Sequence, residues 1–324
     1  KLMLKKIFIN LTIVSFSFIF TLIICELILR AKHSIFYDYD IEQWKYAKLL
    51  KVKHSNPKIG HVHRVSSSAI LQGVEIQTNK IGQRDKDYDN QYLNSYDRSF
   101  LFIGSSIALG WGVESENTFI NKLNKLSSSK GKKWIYVNGG IGNYNTERYI
   151  NNYFENWSKL QFTDIVVHFF VNDTEIINQD NSNFITRNFQ TGVILWKYLN
   201  SLKSEYNIEK LSDYYKKKYD DNFEGFTNAK NELKRLSIYC KNKNINCHLI
   251  LMPDIHQLEP YKLNFINLKM EKISKELNYN YYDLLSDLEV VKPSKKLWNN
   301  YNDPHPNVMA HDIISQSLDK FFTK

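Results

Sequence analysis

The chain has 324 residues, 43% of them apolar and 24% charged, which is enough apolar material for one large core or two small ones and excludes a disordered chain. Lysine and arginine number 43 against 34 acidic residues, a net charge of +9 spread as single lysines and short clusters such as Lys216-Lys217-Lys218. That balance favours anionic surfaces such as lipid headgroups and acidic glycans; no nucleic-acid reader motif accompanies it, so no nucleic-acid partner is expected.

Residues 7–29 form an apolar run interrupted only by Asn10, a few Ser and Thr, and Glu26. A run of that length crosses a bilayer core of ~30 Å. It is too long for a cleaved signal peptide and has no small-residue cleavage site before Glu26 and Arg30. Ile23 and Ile24, both bulky, argue against a lipoprotein site at Cys25. Lys1, Lys5 and Lys6 precede the run while Arg30 and Lys32 follow it, a charge bias that favours a cytoplasmic N-terminus. The expectation is an uncleaved, single-pass signal anchor over residues 1–30, with the rest of the chain on the extracytoplasmic side. Residues 31–96, rich in Tyr, Lys, Asp and Ser, show little periodicity and read as a membrane-proximal stalk and lead-in segment.

From Ser99 onward strands and helices alternate. Apolar runs at 100–103, 134–137, 165–171 and 247–252 read as buried strands, with a shorter one at 281–284. Helical spacing appears at 118–126, 145–160, 230–240, 263–277 and 308–322. This order implies βαβ units: a flavodoxin-like three-layer α/β/α fold with a mainly parallel sheet, preceded by one N-terminal transmembrane helix. The rhythm fails over about 176–226, which reads as an insertion within a domain covering 97–324. Cys240 and Cys247 flank a polar stretch and either bridge or stay as two thiols.

Ligands of an open parallel sheet sit beyond the carboxyl ends of its strands, and polar blocks follow the strands here. They are Gly104-Ser105-Ser106, then Asn138-Gly139-Gly140-Ile141-Gly142-Asn143, then Asn172-Asp173, and finally Asn302-Asp303-Pro304-His305-Pro306 before the last helix. Each residue has a plain structural reading as well. Ser106 suits a helix N-cap, and Pro306 suits the first position of a helix after His305. Asn172 suits a side-chain turn cap, Asp173 a turn, His168 a satisfied core histidine, and His311 a structural place in its helix. Trp and Tyr residues between 190 and 219 serve packing or a sugar platform. His248 and His256 form no metal pattern, and Gly139-Gly140-Ile141-Gly142 lacks the Lys-Ser/Thr of a phosphate loop. No cofactor or metal is expected.

Taken in order, the four blocks resemble the SGNH hydrolases, also called GDSL-like hydrolases, over roughly residues 100–322. The lead-in Ile76-Gln77-Thr78-Asn79-Lys80-Ile81-Gly82-Gln83-Arg84-Asp85 is similar to that of the family's membrane-anchored bacterial members. The resemblance implies Ser106 as nucleophile and His305 as its base. It implies an oxyanion hole from the Ser106 N–H, an N–H of the Gly142-Asn143 turn and the Asn172 side chain. Three positions depart from the family pattern. Ser105 stands where Asp is usual, and Asn143 stands where Gly is usual. The acid's usual place, three before the histidine, holds Asn302. Asp303, one residue closer, completes a triad, or the site runs as a Ser–His dyad.

A serine hydroxyl needs such a base, and a carboxylate on the far imidazole nitrogen fixes its tautomer. The implied activity is hydrolysis or transfer of an acyl ester by a serine esterase or O-acyltransferase. Its implied substrate is an acylated small molecule, exported molecule or cell-envelope glycan, with acetyl as the expected group. The competing classes are a non-catalytic binding or assembly module in cell-surface polysaccharide production, and an interfacial lipase or thioesterase.

Overall fold

The computed structural model describes residues 2–177, 184–201 and 208–324, so parts of the expected insertion (178–183 and 202–207) lie outside the described residues. In chain order, α1 (Leu2–Ile35) and α2 (Tyr39–Leu49) precede four short strands, β1 (Lys51–Lys53), β2 (His61–His63), β3 (Ser68–Leu71) and β4 (Val74–Gln77). After α3 (Asn90–Leu93) come β5 (Arg98–Gly104), α4 (Ser106–Leu109), α5 (Phe119–Ser129), β6 (Trp134–Asn138), α6 (Thr146–Asn152) and β7 (Asp164–Phe170). Then follow α7 (Phe184–Asn188), α8 (Gln190–Ser201), α9 (Ile208–Lys218), α10 (Glu224–Lys243), β8 (Asn246–Met252), α11 (Asn264–Glu276) and β9 (Asn280–Asp283). The chain closes with α12 (Leu285–Leu288), β10 (Trp298–Asn300), β11 (Asp303–Pro306) and α13 (Val308–Thr323).

The chain divides into two compact units, one of Lys1–Lys48 with Asp180–Tyr206 and one of Leu49–Gln179 with Asn207–Lys324. The first contains the expected apolar helix: α1 is long and apolar enough to cross a membrane, and its side chains from Met3 to Ile24 are exposed. The second is the α/β unit. Its five-stranded sheet runs β6-β5-β7-β8-β9 with every neighbouring pair parallel, the doubly wound order 2-1-3-4-5.

Strand alternation sorts the core onto the two faces. Leu101, Ile103, Val167, Phe169, Leu249 and Leu251 pack on one side with residues of α6, α10 and α11. Phe100, Phe102, Val166, Ile250 and Met252 pack on the other with α5 and α13. Both faces are covered, so the strands read as continuous apolar runs rather than alternating ones. Cys240 and Cys247, at the end of α10 and start of β8, are joined as a disulfide.

The structure differs from the sequence reading in three places. Residues 31–96 hold α2 and two antiparallel pairs, β1–β2 and β3–β4, the second closed at Gln72-Gly73 with both φ positive, 54° and 78°. Paired positive φ is the signature of a two-residue hairpin turn. The helix expected at 145–160 is α6 alone, continued by one π-helical turn over Tyr153–Trp157. His168 is buried in β7, but neither ring nitrogen has a hydrogen-bond partner among the described residues.

Instead, the His168 ring stacks on Phe119, which stacks in turn on His311. Burial pulls the His168 imidazole down to about 4, and burial with the nearby charges of His168 and Arg84 pulls His311 to about 3. In the unfolded chain both titrate near 6.5, so below that pH the unfolded state takes up protons the native state refuses. These groups therefore lower stability as pH falls from about 6.5 toward 4. His168→Phe sacrifices no hydrogen bond, and it is expected to lose about 1–2 kcal/mol less stability than the wild type between pH 7 and pH 5. Urea unfolding of both proteins at the two pH values measures this.

Candidate active site

Ser106 sits where β5 ends and α4 begins. Ser105 is the N-cap residue but makes no side-chain capping bond, and Ser106 is the first helical residue. Gly104 permits the tight exit from the strand: a Cβ there would come within 2.8 Å of the His168 carbonyl oxygen. Gly110 ends α4 at φ 80°, a left-handed cap suited to glycine.

The Ser106 Oγ lies 2.8 Å from His305 Nε2. On the other side of the ring, His305 Nδ1 is 2.5 Å from Asp303 Oδ1, which also accepts the His305 backbone N–H at 3.1 Å. Asp303 and His305 are two apart on strand β11, so the period of two puts both on one face. Asn302, at the family's usual acid position, is exposed and lies outside the strand. Asp303 is fully buried. Its Oδ2 accepts from Trp111 Nε1 at 2.9 Å and from Gln72 Nε2 at 3.2 Å, and the Asn300 side chain donates to the Gln72 side-chain carbonyl at 3.0 Å. Burial alone would raise this carboxyl; the hydrogen bond and charge of His305, with Trp111 behind, leave it below the ordinary range.

The second block is stitched to the first. Gly139 N–H donates to Phe102 O at 2.8 Å, Ile141 N–H to Gly104 O at 3.2 Å, and Gly140 N–H to the Asn138 side chain at 2.9 Å. A Cβ on Gly140 would meet Leu109 N at 2.3 Å, so only glycine allows this loop to rest on α4. Asn143 has φ 60°, and its side-chain oxygen takes a hydrogen bond from Lys51, while the Gly142 carbonyl meets the His61 ring at 2.9 Å. Asn172 is exposed just beyond β7; its backbone carbonyl, not its side chain, closes the turn by accepting Glu175 N–H at 2.9 Å. Thus Ser106, the Gly142-Asn143 turn and Asn172 follow the adjacent strands β5, β6 and β7, on the carboxyl edge of the sheet. Asp173 is a buried turn residue whose carboxylate accepts Phe170 N–H at 3.0 Å.

The sequence reading missed the residues that hold this constellation. Trp111 and Gln72 hold the Asp303 carboxylate, with Asn300 behind Gln72. Arg84, only 3% exposed, donates to the carbonyls of Leu109, Gly110, Val113 and Glu75 and so clamps the end of α4 and the segment after it. Replacing it with glutamine strands several buried acceptors at roughly 1–3 kcal/mol each. Arg84→Gln is therefore expected to lower stability by about 3–5 kcal/mol, read from urea unfolding of the full chain in detergent.

Two more histidines have carboxylate partners. His248 Nε2 meets Asp164 at 2.9 Å, and Asp164 also takes a two-pronged bond from Arg98. That network lies near the amino ends of β5, β7 and β8, away from Ser106. Beyond β8, His256 Nδ1 meets Asp254 Oδ1 at 2.5 Å and its N–H donates to the same oxygen, the arrangement seen at Asp303 and His305. The repeated Asp-x-His spacing was the one signal in the sequence for this pair.

No protein-family model matches the chain, and no curated protein matches it. Solved structures similar to it include an acetylxylan esterase from Geobacillus stearothermophilus, at 14% identity and TM-score 0.47, covering 71% of this chain and 96% of that one. Another is the psychrotrophic esterase EstA from Pseudoalteromonas sp., at 13% identity and TM-score 0.44, covering 70% and 100%. A third is a putative lipolytic protein of the G-D-S-L family from Desulfitobacterium hafniense, at 10% identity and TM-score 0.42, covering 69% and 99%.

Proposed function

We propose that the chain is a membrane-anchored serine esterase or O-acyltransferase of the SGNH type, acting on an acylated glycan or other exported molecule. The observation that carries this reading is the 2.8 Å approach of Ser106 Oγ to His305 Nε2, with Asp303 behind the imidazole. His305 takes the hydroxyl proton as Ser106 adds to the acyl carbonyl, and returns it to the departing alcohol oxygen. Water, or a hydroxyl of an acceptor, then attacks the acyl-Ser106 ester by the same route. The Ser106 N–H, at the open first turn of α4, the Gly142-Asn143 turn and the Asn172 amide are assigned to the oxyanion.

In this reading residues 1–30 anchor the protein, 31–96 lead in, and 97–324 carry the chemistry on the extracytoplasmic side. Glu26, Arg30 and His33 of α1 hydrogen-bond to residues 188–191, so the last turns of this helix belong to a folded unit.

The test is a fluorophosphonate probe on the full chain, with mass spectrometry of the adduct. Covalent modification confined to Ser106 is expected. No adduct in folded protein favours a non-catalytic binding or assembly module instead. Free acetate against acetylated acceptor, measured with an acetylated glycan as donor, separates hydrolysis from transfer.

A further inference from the structure

Helices α7 and α8 form a hairpin turning at Phe189. It closes tightly because residue 192 is glycine: a Cβ there would lie 2.7 Å from the Ile185 side chain. Its turn is fastened to the end of α1. Glu26 accepts the Gln190 N–H at 3.0 Å and the Thr191 N–H at 2.9 Å, which makes a side chain of one helix the N-terminal cap of another. Arg30 bridges Glu26 at 2.7 Å to the Asn188 carbonyl at 3.0 Å, and His33 Nδ1 meets the Gln190 side chain at 2.8 Å. Further along, Lys197 pairs with Asp38 and Asp40, and Trp44 donates to Thr186 O at 2.8 Å. The hairpin thus runs beside the chain from Glu26 to Trp44, with its turn at the point where the apolar run of α1 ends.

It exposes several large apolar side chains. Phe184 and Ile185 on α7, and Leu195, Trp196, Tyr198 and Leu199 on α8, are exposed, Trp196 by 62% and Phe184 by 73%. Leu195, Tyr198 and Leu199 follow i, i+3, i+4 spacing and share one face. So many large apolar side chains exposed on one short hairpin are uncommon on a water-facing surface, and Trp and Tyr concentrate where acyl chains meet headgroups. At 34 residues, α1 is ~50 Å long, so its final turns rise past a ~30 Å hydrocarbon core. The ionic junction of Glu26 and Arg30 lies near the end of the apolar run, and the hairpin that carries these exposed apolar side chains is fastened there.

We propose that the α7–α8 hairpin is a membrane-interface element, its aromatic and aliphatic face seated at the headgroup–acyl boundary of the bilayer that α1 crosses. The proposal rests on the reading of α1 as a retained anchor. In it, Arg30 and Lys197 reach the headgroups, and Trp196 and Leu199 face the acyl boundary beside them.

The test uses the full chain reconstituted into phosphatidylcholine vesicles, with or without lipids brominated near the carbonyl end of the acyl chains. Tryptophan emission of the wild type is compared with that of Trp196→Phe, and the difference isolates Trp196. The difference signal is expected to be blue-shifted, to lose most of its intensity to brominated lipid, and to resist iodide from the aqueous phase. A red-shifted difference signal quenched by iodide and indifferent to brominated lipid overturns the proposal. Alkaline extraction of the same vesicles separates the two readings. Protein that stays with the vesicles while Trp196 remains in water refutes the hairpin alone. Protein that is stripped refutes the anchor, and the hairpin with it.

Discussion

Ser106→Ala is expected to abolish covalent labelling and to cut kcat for p-nitrophenyl acetate by about 10⁵–10⁶, with His305→Ala close behind, because a nucleophile and its base act as one unit. The two losses should not add: the double variant is expected to match either single one. The size of the effect follows from the geometry. His305 Nε2 lies at hydrogen-bonding distance from the hydroxyl, so the proton has one short path. Ser106 is only partly buried, which leaves the oxygen open to an acyl carbonyl. Residual turnover over water is expected to remain near ~10³, supplied by the oxyanion donors and by binding. Steady-state kinetics on the three variants checks this, and an unchanged rate in Ser106→Ala refutes the assignment.

How far this protein can be read from its sequence depends on how local each feature is. The strands at 100–103, 165–171 and 247–252 are legible because a parallel strand covered on both faces must be apolar throughout, and the alternating helices then imply the doubly wound order found. The small antiparallel pairs between Lys51 and Gln77 are not, since three or four residues give no periodicity to read, and only Gln72-Gly73 hints at a turn. The four polar blocks are legible as motifs because each is short and follows or borders a strand. Their supports are not: Gln72 and Trp111 meet Asp303 from 231 and 192 residues away. Family spacing pointed to position 302 for the acid. The chain between Asp303 and Pro306 is a strand, however, and the period of two carries 303, not 302, to the side of His305.

Asp303→Asn is the substitution that separates a triad from a dyad, and it is expected to lower kcat by about 10⁴ with little change in stability from volume alone. All four donors around this carboxylate point at acceptors: His305 Nδ1 and N–H at Oδ1, Trp111 Nε1 and Gln72 Nε2 at Oδ2. An amide cannot satisfy them. Turned one way, its NH₂ opposes the Trp111 and Gln72 donors; turned the other way it opposes His305, and Nδ1 can then accept from it only in the tautomer that no longer accepts from Ser106. Trp111→Phe removes one charge-assisted bond and should cost about tenfold to a hundredfold. The pH dependence has a definite sign. A depressed carboxyl keeps its charge, so the stability it contributes is present above about 3.8 and is lost only as pH falls through its lower native value. Activity of Asp303→Asn measured against the wild type from about pH 5 to 8 is therefore expected to stay low throughout rather than recover at either end. A variant within about tenfold of the wild type across that range would instead assign the chemistry to Ser106 and His305 alone.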